Sequence, residues 1–516
     1  MSLRALNLRF PNASKPLRGG AFRCKPGLRS VVIRAGGGEV NGPRRVGGFK
    51  RVDMATLGNL CVDIVLNVPK LPPKPREERM AYMERLAASA PDKKHWEAGG
   101  NCNLVIAAAR LGLQVITLGH LGDEIYGHFL LDVLQEEGID MVGLAEESEI
   151  SHGSVLYETL LCWVLVDPLQ RHGFCSRADF SNEPAFSWIH KLSERIQKAI
   201  QQSNILFCNG YAFDELSPDL LVSALYCGIS AGSAVFFDPG PRGRTLFKGT
   251  PEQQRALEQF LSHSDVILLT SDEAEALTGI TNPIVAGRTL IGRGARLKWV
   301  IIKMGANGSI LITKSNISCA PSFKVNVVDT VGCGDSFTAA IAYGYLHEMN
   351  PVNILALANA VGAATATGCG AGRNVASMAK VLEILRQTNV DDDIDFWSNL
   401  VDLESTREEV YLLSKRRVNG SSNGIIHVPI QTVARQLISK LDASQDGGRN
   451  AGHRRDEQAM KAAEAGCAHL KAVEKSHPWS PSYLGHVSQQ FQQNSLMGPS
   501  NSLGDEFWKI TGEFLP

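Results

Sequence analysis

A glycine turn followed by an acid, late in the chain, has the residue types that phosphate chemistry needs. Gly332-Cys333-Gly334 is followed directly by Asp335, and the apolar run after it predicts a helix over 336–345. Glycines let the backbone approach an anion closely, and the amides at a helix N-terminus favour negative charge. A phosphoryl group held there would lie beside Asp335, which could accept a proton from a substrate hydroxyl. Taken alone, the pattern fits an ordinary first-turn acid equally well.

The elements that must position this turn follow an alternating pattern from residue 52 to about 387. Most of the short apolar runs are continuous, which favours strands buried on both faces and hence a parallel sheet covered by helices. In such a sheet, ligands bind beyond the carboxyl ends of the strands. The predicted strands are 54–58, 115–119, 205–207, 235–237, 266–269 and 300–302, with a strand-like run at 325–328 directly before the glycine turn.

Two segments interrupt this alternation. Residues 69–97 are polar, charged and proline-bearing, and residues 154–175 contain the β-rich run 160–166. We interpret them as parts of a small β-rich lid, formed by segments at about 64–98 and 154–175.

The composition excludes several classes of protein. The 516 residues carry a formal net charge of −1, with 44% apolar and 20% charged residues, which is ordinary for a soluble globular protein. No apolar run reaches the roughly 18 residues of a membrane-spanning helix, and a dedicated nucleic-acid binder would usually be clearly basic. The 11 cysteines form no Cys-x-x-Cys pair, so neither a zinc site nor a disulfide framework is indicated.

The two ends of the chain differ from its middle. Residues 1–38 contain eight basic residues and no acid, which is typical of an organellar transit peptide; a disordered basic arm is the alternative. The run 32–38 resembles a chloroplast processing site, with mitochondrial import as the second choice. Residues 391–516 have the polar, glycine- and serine-bearing composition of a loosely ordered extension, with an isolated helix predicted at 433–441.

Three motifs together resemble the PfkB (ribokinase-like) carbohydrate kinase family. Residues 329–337 are similar to its Asp-Thr-x-Gly-x-Gly-Asp-x-Phe signature, residues 99–112 to its Gly-Gly plus Asn segment, and residues 118–127 to its Gly-x-x-Gly-x-Asp-x-x-Gly turn. The motifs occur in family order. The resemblance implies a ribokinase-like three-layer α/β/α fold with a mostly parallel central sheet, over a kinase domain at 52–387.

On the substrate side, the resemblance assigns Asp63 to the hydroxyls of the substrate and Asn103 to a second substrate contact. Gly99 and Gly100 belong to the same segment, which is one residue shorter here than in the family. A carboxylate that accepts two hydroxyl hydrogen bonds suits a polyol. A turn-capping role is the structural alternative for Asp63.

On the nucleotide side, the resemblance places Asp238 near the phosphates and Asn359 beside the adenine. It assigns the loop under the ATP phosphates and ribose to Lys303, Gly305 and Gly308. For Asn359, an ordinary polar position on a helix is the alternative.

The resemblance also implies two ions. The family's Asn-x-x-Glu element, which assists a Mg²⁺-bound water, retains its acid as Glu273, but Thr270 replaces the Asn. We expect the Mg²⁺-bound water to be held more weakly, because the Thr270 hydroxyl offers fewer hydrogen-bonding groups than an Asn amide. Asp329, Thr330 and residues 370–371 resemble the monovalent-cation loop of some relatives, which adds K⁺ as an ion to test.

These residues predict a Mg²⁺-ATP-dependent kinase that phosphorylates a hydroxymethyl group of a small sugar or nucleoside, with Asp335 as general base. A homodimer through the lid is an accompanying expectation, without nucleic-acid or membrane partners. The alternative is a catalytically weak relative that acts as a structural partner in plastid gene expression. The altered Thr270 position and the long tail favour that alternative, and the intact turn at 332–335 opposes it.

Overall fold

The structure is a computed structural model, and it describes residues 50–144, 158–169, 171–181, 183–368, 371–401, 408–416, 420–422 and 424–443. The expected targeting segment at 1–38 and the tail beyond residue 443 lie outside these ranges, so both remain predictions. Within the described ranges, no helix combines the length and apolar composition needed to cross a membrane.

The strands belong to two sheets. They are β1 (Val52–Leu57), β2 (Leu60–Asn67), β3 (Trp96–Gly100), β4 (Val115–Gly119), β5 (Asp140–Gly143), β6 (Leu160–Val166), β7 (His172–Ser176), β8 (Ser203–Asn209), β9 (Ala234–Asp238), β10 (Val266–Thr270), β11 (Trp299–Lys303), β12 (Ser309–Ile312), β13 (Asn316–Ala320), β14 (Glu409–Ser414), β15 (Gly420–Ser422) and β16 (Ile425–Pro429).

The larger sheet is mostly parallel, as predicted. Among the described residues it has twelve strands in the order β15-β16-β14-β13-β12-β11-β10-β9-β8-β1-β4-β5. Only β12 and β15 run antiparallel to their neighbours in it. The carboxyl ends of β8, β9, β10 and β11 therefore meet at one edge of the sheet, where Asn209 pairs with Asp238 and Thr270 with Lys303.

The run at 325–328, predicted as a strand, is not one. Backbone hydrogen bonds from Lys324 to Asn389 and from Val328 to Ala366 hold this segment, without a neighbouring strand alongside it. Val327 and Val328 are exposed, so the apolar composition of this run does not reflect a buried, paired strand.

Helices cover both faces of the sheet, which makes three layers. They are α1 (Arg76–Ala87), α2 (Asn101–Arg110), α3 (Ile125–Glu136), α4 (Glu194–Gln201), α5 (Ala212–Glu215), α6 (Pro218–Ser230), α7 (Arg242–Phe247), α8 (Pro251–His263), α9 (Ser271–Thr278), α10 (Pro283–Ile291), α11 (Cys333–Leu346), α12 (Pro351–Ala366), α13 (Met378–Gln387), α14 (Ile394–Leu400) and α15 (430–443).

The sequence shows why several helices begin where they do. In α6, α8, α10 and α12 a capping side chain accepts a backbone N–H of the first turn, and a proline occupies the first helical position. Such a side chain satisfies an amide that the helix leaves unpaired, and proline has no amide to lose there. The capping residues are Ser217, Thr250, Asn282 and Asn350.

The apolar core lies on both sides of the large sheet, because successive strand residues point to opposite faces. Along β1, Met54 packs with the cluster that includes α2, α11 and α12, whereas Ala55 and Leu57 pack with the cluster that includes α6, α8 and α10.

The second sheet combines β6 and β7, which lie in or next to the segment 154–175, with β2 and β3, which flank residues 69–97. It has four strands in the order β3-β2-β6-β7. β2 and β6 pair parallel, and the outer pairs are antiparallel. Val164 of β6 packs against Val331 and Ala371, so the small sheet contacts the chain beside the glycine turn.

The expectation of a loosely ordered extension is wrong for residues 408–416 and 424–443. β14 pairs with β13 and β16 pairs with β14, which extends the large sheet. Val433, Leu437 and Leu441 of α15 are buried in the same cluster as α12. This part of the chain therefore packs on the large sheet and its helices as part of the same fold.

Candidate active site

The glycine turn begins the 14-residue helix α11. Gly332 caps α11 with φ 74°, a left-handed conformation that favours glycine, and its carbonyl accepts the N–H of Ser336 at 2.9 Å. A Cβ atom on Gly332 would lie 2.9 Å from the Cβ of Ala371. The Cys333 N–H donates to the Thr330 carbonyl at 3.3 Å, whereas Gly334 is exposed and open to a ligand at the start of the helix.

Asp335 occupies the first turn of α11 and is partly buried. Its Oδ2 accepts a hydrogen bond from Asn103 Nδ2 at 3.3 Å. Burial raises the pKa of Asp335 to about 6; the charge of Lys303 and the Asn103 hydrogen bond lower it, and the charge of Asp238 raises it. A carboxylate of this pKa is ionised at neutral pH and is still a useful base.

Asn103 is buried on α2 and joins two parts of the site. While its Nδ2 reaches Asp335, its Oδ1 accepts the N–H of Gly372 at 2.7 Å. The amide orientation is therefore fixed from both sides.

Asp63 lies on β2 of the small sheet and is buried. Burial raises its pKa to about 7; a hydrogen bond from Cys61 lowers it, and the charges of Asp335 and Glu97 raise it. A Cβ atom on Gly99 would lie 2.2 Å from Asp63 Oδ1, so only a residue without a side chain fits opposite this carboxylate. Gly100 follows as the residue before α2.

Four more side chains of the site lie at the carboxyl edge of the large sheet. Lys303 Nζ is 2.7 Å from Asp238 Oδ2, and both side chains are 15% exposed. Asp238 Oδ1 accepts the N–H of Gly240 at 3.0 Å. Thr270 and Glu273 cap α9 reciprocally, with Glu273 Oε2 accepting the Thr270 N–H at 2.7 Å.

The charges in this group depend on one another. Burial raises the pKa of Glu273, as does the charge of Asp238, whereas Lys303 lowers it. For Lys303, burial lowers the pKa of the ammonium, but the carboxylates of Asp238, Glu273 and Asp335 outweigh burial and raise it. Three carboxylates therefore surround the single ammonium of Lys303.

The remaining predicted nucleotide residues lie beyond β11. Gly305 begins a single turn of 3₁₀ helix, and Gly308 follows it and leads into β12. Asn359 on α12 is buried, and its amide is engaged by protein groups: Oδ1 accepts from Ser309 Oγ at 2.9 Å, and Nδ2 donates to the carbonyls of Ala320 and Pro321.

Asp329, the predicted monovalent-cation residue, contacts protein groups instead of open space. Its Oδ1 accepts the N–H of Val331 at 3.0 Å and lies 2.7 Å from His172 Nε2 of the small sheet. Cys333 has its pKa raised to about 12 by burial and by the charges of Asp329 and Asp335, so its thiol is not a nucleophile here. Residues 369–370 lie outside the described residues, and K⁺ stays a prediction.

Sequence reasoning missed residues that hold the site together. Asn101 Nδ2 donates to the Gly58 carbonyl at 2.6 Å and its Oδ1 accepts from Asn209 Nδ2 at 2.9 Å, which fixes the turn before β2. Gly372 and His172 were also unassigned. The second asparagine of the 99–103 segment was the available signal for Asn101, whereas Gly372 and His172 have only their three-dimensional position.

The acids at this edge fit a divalent cation held through water. Burial raises the pKa values of Glu273 and Asp335, and the charge of Lys303 offsets that effect only in part. Among the described residues, no three His, Cys, Asp or Glu side chains are arranged to hold an ion by themselves. Mg²⁺ suits such a site, because proteins usually bind it through one or two carboxylates, substrate phosphates and waters.

This fold and this grouping of residues define a phosphotransferase of the ribokinase-like α/β class. Residues 55–378 match the family described as "pfkB family carbohydrate kinase", and the chain belongs to that family.

Among its relatives, probable fructokinase-2 of Arabidopsis thaliana is 26% identical over 282 residues, which cover 53% of this chain and 82% of that protein. Fructokinase-1 of Zea mays is 25% identical over 308 residues, 58% of this chain and 91% of that protein.

Solved structures agree with this assignment at the level of the fold. A putative ribokinase II of E. coli in complex with ATP and Mg²⁺ aligns with a TM-score of 0.50 and 19% identity, covering 65% of this chain and 99% of the other. Its apo form aligns with a TM-score of 0.51, 18% identity and the same coverage.

Proposed function

We propose that this carbohydrate kinase transfers the terminal phosphoryl group of ATP to a hydroxymethyl group of a small sugar or nucleoside, with Asp335 as the general base. The observation that carries the proposal is the position of Asp335. Asp335 directly follows the glycine turn and accepts a hydrogen bond from Asn103 Nδ2; its charge acts on Asp63, and the charge of Lys303 acts on it. A base so placed can serve a hydroxyl and a phosphoryl group together.

In the proposed reaction, Asp335 accepts the proton of the substrate hydroxyl as that oxygen attacks phosphorus. The N–H groups of Gly332 and Gly334 would then hold the oxygens of the transferring group. Preorganised donors of this kind stabilise charge as it develops and need no reorganisation at that moment. The attacking and leaving oxygens lie roughly in line in such transfers.

The substrate side favours a ligand with several hydroxyl groups. Asp63 offers two acceptor oxygens in a buried setting, and its pKa of about 7 means that both its ionised and protonated forms are accessible near neutral pH. Hydroxyls that donate to Asp63 would stabilise the ionised form. The fructokinase and ribokinase relatives support a small sugar as the first class to test.

Mg²⁺ bound with ATP would supply positive charge to the phosphate oxygens. Glu273 is the residue that would hold it through water, and Thr270 fixes the Glu273 carboxylate through the reciprocal cap of α9. The ATP and Mg²⁺ named for the ribokinase II structure support this choice of nucleotide and ion.

The small sheet would act as a lid over the reacting groups. Val164 packs against Val331 and Ala371, and His172 lies beside Asp329, so the sheet already contacts the chain at the glycine turn. Exclusion of water by this contact would limit the hydrolysis of ATP.

A coupled assay of ATP consumption against a panel of sugars and nucleosides tests the function. We expect turnover that requires one class of hydroxymethyl compound, with a phosphomonoester as the product by phosphorus NMR. Asp335→Asn is the matched control for background hydrolysis. Absence of phosphorylated product across the panel would contradict the proposal.

The intact base also weighs against a purely structural role in plastid gene expression, because such a role needs no acid beside the glycine turn.

We also propose that residues 1–38 direct the chain to chloroplasts, because they combine eight basic residues with no acid. A fluorescent protein fused to this segment should enter plastids in plant cells. Import into mitochondria alone, or a diffuse signal, would overturn the assignment.

A homodimer through the lid is a further proposal. Met80 and Phe174 are exposed large apolar residues on α1 and β7, and Leu169 follows β6. Exposed large apolar side chains on the small sheet and on α1 favour association. Light scattering of wild type and Phe174→Glu should give a dimer and a monomer; a monomeric wild type would rule the dimer out.

A further inference from the structure

Lys303 ends β11 between the glycine turn and two carboxylates. Its ammonium is 2.7 Å from Asp238 Oδ2, and a Cβ atom on Gly334 would lie 3.7 Å from Nζ. The charges of Glu273 and Asp335 also act on it. The ammonium therefore lies against the exposed glycine of the turn that would hold a phosphoryl group.

This ammonium has hydrogen-bonding capacity to spare. It has three N–H donors, and within the described part of the chain Asp238 is the one hydrogen-bond acceptor that it contacts. Two donors thus remain for oxygens of a ligand. A lysine with only a structural role would be expected to use its donors on protein groups.

Lys298, just before the other end of the same strand, provides the contrast. It contacts the buried Asp265 at 3.2 Å and Tyr345 Oη at 2.9 Å. Asp265 is also held by Arg296 and by the N–H of Val235. This arrangement neutralises a buried acid at the edge of the sheet away from the glycine turn.

We propose that Lys303 is a catalytic residue whose ammonium contacts the transferring phosphoryl group and neutralises charge on it during transfer. The inference rests on the proposed kinase function and adds a fixed protein cation to it. The bond from the substrate oxygen to phosphorus forms, and the bond from phosphorus to the leaving nucleoside diphosphate breaks. The substrate proton goes to Asp335, and Lys303 stays protonated throughout.

Lys303 also acts on the base. Its charge lowers the pKa of Asp335, opposing the effect of burial. The charge of Asp238 raises the pKa of Asp335. The charge of Asp335 in turn raises the pKa of Asp63 and of Cys333, so none of these groups favours the ionised form of Asp335. Without Lys303, Asp335 would therefore need a higher pH to ionise.

The test compares Lys303→Met, Lys303→Arg and Lys298→Met in the full chain, with the substrate found in the panel. Removal of one preorganised donor to a transition state typically costs about 10²–10³ in kcat. We expect that loss for Lys303→Met, with a change in ATP Kd of less than about tenfold. The acid limb of its kcat/KM profile should move to higher pH. Lys303→Arg should retain more of kcat because it keeps the charge, and Lys298→Met should retain wild-type kcat and profile.

The double variant Lys303→Met/Asp238→Asn separates a folding defect from a loss of catalysis. Lys303→Met alone leaves the Asp238 carboxylate without its partner, and the second substitution removes that charge. A recovered Tm with kcat still reduced supports the proposal. Full kcat in Lys303→Met, recovered kcat in the double variant, or an unmoved pH profile overturns it while leaving the kinase function intact. A wild type that phosphorylates nothing in the panel overturns both.

Discussion

Asn103 Nδ2 lies 3.3 Å from Asp335 Oδ2, although the two residues are 232 positions apart in the chain. The other end of the same amide accepts the Gly372 N–H, 269 positions away. One side chain on α2 thus connects the proposed base on α11 to the loop that follows α12. The residue expected to bind substrate also orients and stabilises the ionised base.

The first prediction concerns the pH dependence of the wild type. Burial raises the pKa of Asp335 to about 6 and that of Asp63 to about 7, and both are expected to act as carboxylates. Lowering the pH through 7 and 6 protonates them, so kcat/KM should fall across that window and level off above it. Initial rates at saturating ATP from pH 4.5 to 9 check this. A profile that stays flat down to pH 4.5 would exclude either acid as an essential carboxylate.

Asn103→Asp should move the fall of kcat/KM at low pH, the acid limb of the pH profile, to higher pH. The change replaces a hydrogen-bond donor by a second carboxylate 3.3 Å from Asp335 Oδ2, and two acids at that separation share a proton. We expect the limb to move by at least about one pH unit. Asn353→Asp adds the same charge on α12, where Asn353 Nδ2 donates to Gln436 Oε1 at 2.9 Å. Its profile should match the wild type, and equal shifts in both variants would refute the Asn103 role.

The extension gives a prediction about truncation. A chain that ends at residue 443 should keep the wild-type Tm, because β14, β16 and α15 remain. A chain that ends at residue 400 should be aggregated or strongly destabilised, since it exposes the edge of β13 and the apolar surface under Val433 and Leu437. Thermal melts and size-exclusion chromatography of both chains check this. A stable, monodisperse chain ending at 400 would show that the extension is dispensable.

Glu215 should make the wild type less stable at alkaline pH. It is 2% exposed, and burial raises its pKa to about 8. A hydrogen bond from the Asn59 N–H lowers the pKa but does not outweigh burial. The folded pKa exceeds the unfolded value of 4.5, so the folded state holds a proton that the unfolded state has lost between these pH values. The free energy of unfolding therefore falls as the pH rises from about 4.5 to 8.

Glu215→Gln removes this penalty and keeps the shape of the side chain. It should be more stable than the wild type at pH 8.5 by on the order of 2 kcal/mol, and no more stable at pH 4. Urea melts at both pH values measure the difference. Glu194→Gln, at an exposed position on α4, should change neither value. A Glu215→Gln variant that is less stable at pH 8.5 would mean that the ionised acid has an unseen partner.

Much of the fold could be predicted because continuous apolar runs report burial on both faces of a strand. The runs 266–269 and 300–302 became β10 and β11 for this reason. The run 325–328 failed, because two exposed valines have the same composition as a strand without a neighbour to pair with. The C-terminal strands were missed because β14 and β16 are short and follow a polar segment, and their stability comes from pairing with β13.

The site divides in the same way. Gly332, Gly334 and Asp335 could be found because a helix start, a glycine turn and an acid are neighbours in the sequence. The proximity of Lys303 to Gly334, and the contact of Gly372 with Asn103, depend on how distant strands and helices are placed. No local pattern contains that information.

The most direct measurement is kcat for Asp335→Asn. The substitution keeps the volume of the side chain and the turn, and it removes the proton acceptor. A positioned general base typically contributes about 10²–10⁴-fold in rate, and we expect that loss. The ATP Kd should change little because residues 332–334 remain, and the Tm at neutral pH should not fall because the pKa of the replaced acid is raised by burial. A kcat equal to that of the wild type would contradict the assignment of Asp335 as the base, and a collapse of the Tm would make its role structural.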